Sequence, residues 1–219
     1  MLVITISVKR PRNPIWRRGE VPPYLRMAGA IRIFPIVSGF LQVRSFADDS
    51  FVEIQGGAAT SMEKQSRISM SDEYVLIDMR PKSYRVKALF HFFNHGASTT
   101  VAVGFPAGGS GAEGVKKQDF PYFRTWVDGE VAATKDVPDE EYGDSAGGYS
   151  FYKVKQVYFP ALSTTTSVVE YEAPYGMSSN AEYWIRYPYG TGGTWAGPIH
   201  KAVFDLRFDE TTENSLKGR

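Results

Sequence analysis

The chain has 219 residues, enough for one domain or a small two-lobed unit with a sizeable core. Its 25 Lys and Arg nearly balance its 24 Asp and Glu, which argues against a protein that coats nucleic acid, and 14% aromatic residues make it too apolar for a disordered chain. It has no cysteine, which excludes disulfide scaffolds, Cys-based zinc sites, iron–sulfur clusters and thiol nucleophiles, and its three His leave little for a His-rich metal site.

The near-neutral total hides two segments of opposite sign. Residues 1–47 carry eight Lys/Arg and one Asp/Glu, a net of +7, and the remainder carries a net of −6. Within this basic head, residues 27–47 predict a signal peptide. Arg17, Arg18 and Arg26 precede a short apolar run, and small residues at Ser45 and Ala47 fit a peptidase site just before Asp48. The run is too short to span a bilayer as a permanent helix. Residues 1–26 then fit neither signal nor domain, and translation starting at Met27 would explain them. The alternative is a basic arm followed by a first strand over 31–43.

From Asp48 onward period-two alternation replaces helical periodicity. Tyr84, Val86, Ala88, Phe90 and Phe92 form one face of a long strand, with Arg85, Lys87, Leu89 and His91 on the other. A turn at 94–98 and an apolar run over 99–105 predict a hairpin. The segment 122–127 leads into Asp128-Gly129, a two-residue hairpin signal, with a returning strand over 131–134. Further strands are expected over 151–159, 164–172, 182–189 and 199–208, with loops at 107–114 and 136–148. About eight to ten short strands punctuated by Gly and Pro predict an all-β fold, an antiparallel β-sandwich that is either immunoglobulin-like or built as two packed β lobes, with little helix.

Several strings resemble catalytic or binding motifs, and their contexts argue against most of them. Ser145 sits in a G-x-S-x-G string, but the residues before it are acidic and those after it alternate as a strand, whereas a nucleophile elbow needs a strand and then a helix. His200 and Asp205 are the partners such a serine could be given. The G-x-G-x-x-G string over 109–114 is followed by Pro121 before any useful helix, so it lacks the helix N-terminus that captures phosphate. His91 and His95 are four apart, but in a strand and a turn that spacing sets no metal geometry. Asp136, Asp139, Glu140, Glu141 and Asp144 make an acidic loop without EF-hand spacing.

The densest aromatic region runs from Tyr183 to Trp195. One reading is core packing, with a Gly-rich turn folding the chain back so that Trp195 plugs the end of the sandwich. The functional reading is an aromatic platform for a sugar or an extended peptide, built from Tyr187, Tyr189 and Trp195.

Three features in order carry a family likeness: Asp48-Asp49-Ser50 leading to Gly56-Gly57, the long strand followed by one closing on Gly104-Phe105-Pro106, and Tyr187-x-Tyr189-x-Thr191-Gly192-x-x-Trp195-x-Gly197-Pro198. Together they resemble the exported bacterial proteins grouped as domain of unknown function 4424. In that family the first segment reads acidic–small–Gly–Gly, a strand pair ends in Phe-Pro, and a Thr-Gly-x-x-Trp turn recurs late. The likeness covers Asp48 to about Phe208. Pro106 is expected to stop its strand. Family members continue past the Trp turn with further β segments, whereas residues 209–219 here form a polar tail, so either the last strands are missing or the domain is a short variant. The resemblance implies export and a β fold, and it implies no catalytic residues.

The sequence therefore predicts a protein exported to the periplasm or cell surface of a bacterium. It acts there as a non-enzymatic binding or interaction module, with no cofactor or metal, no nucleic-acid partner and no membrane span in the mature chain. The expected partner is an envelope protein or a glycan. The alternatives are a carbohydrate- or peptide-binding module on the aromatic platform, and a serine hydrolase at Ser145.

Overall fold

The structure is a computed structural model that describes residues 2–8, 57–108, 119–138, 151–177, 183–189 and 194–217. The predicted signal segment, Ser145 with its flanking motif, the Gly-rich string at 109–114 and most of the acidic loop lie outside these residues. The described strands are β1 (Leu2–Val8), β2 (Thr60–Ser61), β3 (Ile68–Met79), β4 (Ser83–Asn94), β5 (Thr99–Ala107), β6 (Tyr122–Val127) and β7 (Glu130–Val131). They continue with β8 (Lys135–Pro138), β9 (Phe151–Phe159), β10 (Thr164–Pro174), β11 (Gly176–Met177), β12 (Tyr183–Tyr189) and β13 (Lys201–Arg207), and a short helix α1 (Glu210–Lys217) follows.

The fold is all-β and sandwich-like. A six-stranded sheet of order β13-β3-β4-β10-β6-β7 faces a four-stranded sheet, β2-β5-β9-β8, and a three-stranded sheet, β1-β12-β11. Alternation explains the layering, because each long strand has one apolar face to bury. Tyr84, Val86, Ala88, Phe90 and Phe92 of β4 all point inward, beside Val169 and Tyr171 of β10. The four-stranded sheet covers the β4–β10–β6 side, where Phe105 meets Tyr171 and Phe92 meets Phe159. The three-stranded sheet covers the β3–β13 side, where Tyr187 packs edge-on against Phe204. All pairings are antiparallel except β13 with β3.

The expected hairpin between β4 and β5 does not form. β4 pairs with β3 and β10, and β5 pairs with β2 and β9, so the turn at 95–98 carries the chain from one sheet to the other. Asn94, buried at the corner, explains why. Its Nδ2 donates toward the carbonyls of Ala97, Phe159 and Pro160 at 2.9–3.2 Å, and its Oδ1 accepts from Gly96 N–H. Its backbone N–H bonds Ser163 O, and the next one, at His95, bonds Arg67 O. A side chain that ties its own turn to the turn after β9 sets a corner where local turn chemistry alone suggests a reversal.

The Asp128-Gly129 hairpin forms as expected. Both residues have positive φ, 49° and 88°, which matches the twist of β6 and β7. The returning strand is shorter than expected, ending at Val131. Pro106 lies inside β5 rather than ending it. Past Gly104 the strand has β9 on one side and no β2 on the other, so a missing N–H costs no ladder bond there. At Gly104 a Cβ would meet Met62 Sδ, so any larger residue there obliges that side chain to move.

Two terminal expectations also change. Leu2–Val8 alternates Leu, Ile, Ile and Val against Val, Thr and Ser, and it pairs along the whole of β12 as an edge strand. The polar tail contains α1. Asp209 caps it by accepting from Thr212 N–H at 2.7 Å, Thr212 Oγ1 reaches Met79 O, and Leu216 joins the core.

β3 carries a bulge between Met70 and Asp72. Ile68 and Met70 point inward before it, and Glu73, Val75, Ile77 and Met79 point inward after it. The extra residue shifts the phase, so a carboxyl enters the core and Tyr74 turns outward.

Asn94→Ala removes every side-chain bond at the corner and leaves buried carbonyls unpaired. We expect a loss of about 2–4 kcal/mol in urea unfolding. A loss below about 1 kcal/mol would take Asn94 out of this role.

Candidate functional site

The aromatic residues singled out in the sequence lie mainly in the core. Tyr187 is 1% exposed and donates its hydroxyl to Glu73 Oε1 at 2.7 Å. Trp195 is 4% exposed, donates Nε1–H to Ala59 O at 2.9 Å and packs on Phe92 and Phe159. Neither ring has a face free for stacking, so the two serve packing. Of Tyr189 only its place in β12, opposite Leu2, is described.

Of the residues a hydrolase would need, Asp205 holds Arg207 at 2.7 Å, and His200 is exposed at the start of β13, its backbone N–H bonded to Ser71 O. His91 stands edge-on to Tyr74, and His95 bonds Ser69 Oγ through Nε2. Among the described residues no group of three or more His, Asp or Glu could hold a metal, and Asp136 is paired with Lys153.

The interior holds chemistry that composition could not place. The face of β9 made by Phe151, Lys153, Lys155, Val157 and Phe159 points into the sandwich. Lys153, near the rim, meets Asp119 at 2.8 Å and Asp136 at 3.1 Å, between the rings of Phe123 and Phe151. Lys155 reaches across to the facing sheet, donating to Thr125 Oγ1, to Ser167 Oγ at 2.8 Å and to Trp126 O. No carboxylate accompanies it, and burial pulls its amine down to about 7. Glu73 is the acidic counterpart. Burial pushes its carboxyl up to about 7 against the hydrogen bond from Tyr187, and its Oε2 has no partner among the described residues. The space beside Lys153 and Lys155 has room for about one water molecule, so it is not a pocket for an organic ligand.

The solvent face of the six-stranded sheet is different. Cross-strand register places Val203 opposite Tyr74, Tyr74 opposite Leu89, Leu89 opposite Val168, Val168 opposite Trp126 and Trp126 opposite Val131. An apolar row one side chain wide therefore crosses all six strands, over about 24 Å. Its ends are exposed, Val203 at 36% and Val131 at 64%, and the four residues between are partly buried. Two residues away along the strands on one side lie Asp205, Leu76, Lys87, Glu170 and Arg124, so the apolar surface widens at β3, and on the other lie Lys201, Asp72, His91 and Thr166. Lys201 Nζ stands 5.5 Å from the centre of the Tyr74 ring, and the Arg124 guanidinium 5.9 Å from that of Trp126. Contiguous apolar surface rimmed by polar groups is how soluble proteins present a binding face.

No family model matches the chain, and no curated protein matches it. A solved structure from Legionella pneumophila, described as "a putative nutrient binding protein", superposes with a TM-score of 0.57 at 18% identity. The match covers 68% of this chain and 52% of that one, so this chain spans about half the length of that neighbour. The likeness is one of fold.

Glu73 and Lys155 make opposite predictions about pH. Glu73 holds its proton more tightly when folded, so its contribution is complete below pH 4.5 and is lost as pH rises to about 7. Lys155 holds its proton less tightly when folded, so its penalty is complete below about pH 7 and fades toward 10.5. The shifts correspond to about 3 kcal/mol for Glu73 and about 5 kcal/mol for Lys155, and together they favour a stability minimum near neutral pH. Relative to wild type, Glu73→Gln should gain stability between pH 4.5 and 7, and Lys155→Met should lose its relative advantage between pH 7 and 10. Urea midpoints that run parallel to wild type across these ranges would refute the assignment.

Proposed function

We propose that this protein is an exported, non-enzymatic binding module of the bacterial envelope, and that it engages its partner on the solvent face of the six-stranded sheet. The observation that carries the binding reading is the apolar row from Val203 to Val131, set on a framework whose interior space beside Lys153 and Lys155 holds about one water molecule. The solved neighbour described as nutrient-binding is consistent with a binding role at this general level.

Export is supported by the basic head, by the short apolar run ending at Ser45 and Ala47, and by the resemblance to the exported proteins of domain of unknown function 4424. No helix among the described residues is long and apolar enough to cross a membrane. Cleavage after Ala47 would remove β1 and leave β12 paired with β11 alone.

Expression from the native start in a Gram-negative host, with cell fractionation and intact-mass measurement, tests export and β1 together. We expect a periplasmic species beginning at Asp48. A full-length cytoplasmic species would overturn export and keep Leu2–Val8 in the mature fold.

A further inference from the structure

The neighbours of β12 depend on where the mature chain begins. Along its whole length, Tyr183 to Tyr189, it pairs with β1. On its other side β11 meets it only at Tyr183 and Trp184. Without β1, residues 185–189 have no strand beside them among the described residues. Their side chains hold them in place all the same. Ile185 is 2% exposed and Tyr187 1%, Tyr187 bonds the buried carboxyl of Glu73, and its ring packs on Phe204 of β13. A strand anchored by its side chains and stripped of its neighbour presents a row of unpaired N–H and C=O groups beside an uncovered flank of core.

The register states what fits that gap. β1 runs antiparallel to β12, with Leu2, Ile4, Ile6 and Val8 opposite Tyr189, Tyr187, Ile185 and Tyr183, the row that holds the two buried side chains. Val3, Thr5 and Ser7 stand opposite Pro188, Arg186 and Trp184. The gap thus takes a seven-residue strand with branched apolar residues at alternate positions and small or polar ones among the rest. Pro188 lies one residue from the end of β12, so it interrupts at most one ladder bond. The segment that would begin the mature chain is a poorer match. Over 49–55 one row carries Phe51 with Glu53 and Gln55, and the other has only Val52 and Ile54 before Gly56 and Gly57. A second mature copy has lost the same strand. We propose that the exported protein accepts a strand from another polypeptide at the β12 edge, antiparallel and apolar at alternate positions, in the place that β1 holds in the full chain. The inference rests on the export reading above and adds a docking place distinct from the surface row.

Fluorescence anisotropy with a labelled peptide of residues 2–9 tests it on the periplasmic species that begins at Asp48. We expect saturable binding, a rise of several degrees in thermal midpoint with the peptide in excess, and no binding to full-length chain made in the cytoplasm, where β1 fills the gap. Ile4→Lys/Ile6→Lys in the peptide should weaken binding at least about tenfold, and Thr5→Lys/Ser7→Lys in the other row no more than about twofold. Of two peptides N-methylated at alternate residues, one should lose binding and the other keep it, because every second N–H of a strand faces its neighbour. Equal loss in both row variants, or in both methylated peptides, would overturn strand addition. An Asp48 species that is folded and binds no peptide overturns the proposal and leaves export standing. One that folds only when the peptide is added supports it, and one that stays unfolded with the peptide overturns it. A fractionation that yields only full-length cytoplasmic chain removes export and the proposal together.

Discussion

The arrangement of the sandwich depends on one corner. Where the chain leaves β4 it must enter the opposite sheet, and the buried amide of Asn94 holds it to that course by bonding backbone from its own turn and from the turn after β9. Two side-chain hydrogens are shared among three carbonyls, so the segments they join cannot shift independently. With the corner set, β5 and β9 lie over β4 and β10, and the aromatic layer of Phe92, Phe105, Phe159 and Tyr171 can close. Trp195 seals the end of that layer from a third segment, through its bond to Ala59.

Three ionisable groups sit inside this frame, each in a different electrical setting. Lys153 keeps two carboxylates, Asp119 and Asp136, at the rim. Lys155, two residues further along the same strand, has hydroxyls and a carbonyl for company and no counter-charge. Glu73 has one phenol. A buried charge without an opposite charge costs several kcal/mol unless it changes protonation state, so both groups titrate near neutrality rather than at their usual values. The two lie on different sides of the six-stranded sheet's inner face. One responds beneath the four-stranded sheet and the other beneath the three-stranded sheet.

Much of the β framework was legible in the sequence because alternation is a local signal. Phe151–Phe159 matches its expected bounds, β10, β12 and β13 match theirs within two residues, and Asp128-Gly129 marks its own turn. β3 was not legible as a strand, because Ser71-Asp72-Glu73 reads as a polar break. The signal lay on either side of it, in Ile68 and Met70 and then in Val75, Ile77 and Met79, out of phase across the bulge. The turn at 94–98 has the composition of a hairpin, and what makes it a corner is contact with residues more than sixty positions away. The aromatic residues at Tyr187 and Trp195 were visible as a cluster, but burial is a property of the packed layers and not of the string. The apolar row was the least visible of all. In sequence, Tyr74, Leu89, Val168 and Trp126 sit beside apolar residues that face the core, and only the pairing register puts the four side by side.

The bulge in β3 joins the inside of the protein to its outside. The register after it decides that Glu73 faces the core and Tyr74 faces solvent, so the protonatable carboxyl and the first ring of the surface row share a single determinant. Substitution at either position alters one face. Deleting Ser71 would join Met70 to Asp72 in the register they already hold against Phe92 and His91, so both faces of β3 would be kept and only the bulge lost. What the extra residue adds is its hydroxyl, which donates to His91 O, and its carbonyl, which accepts from His200 N–H. Its loss should therefore loosen the entry to β13 while leaving the surface row and the buried carboxyl in place.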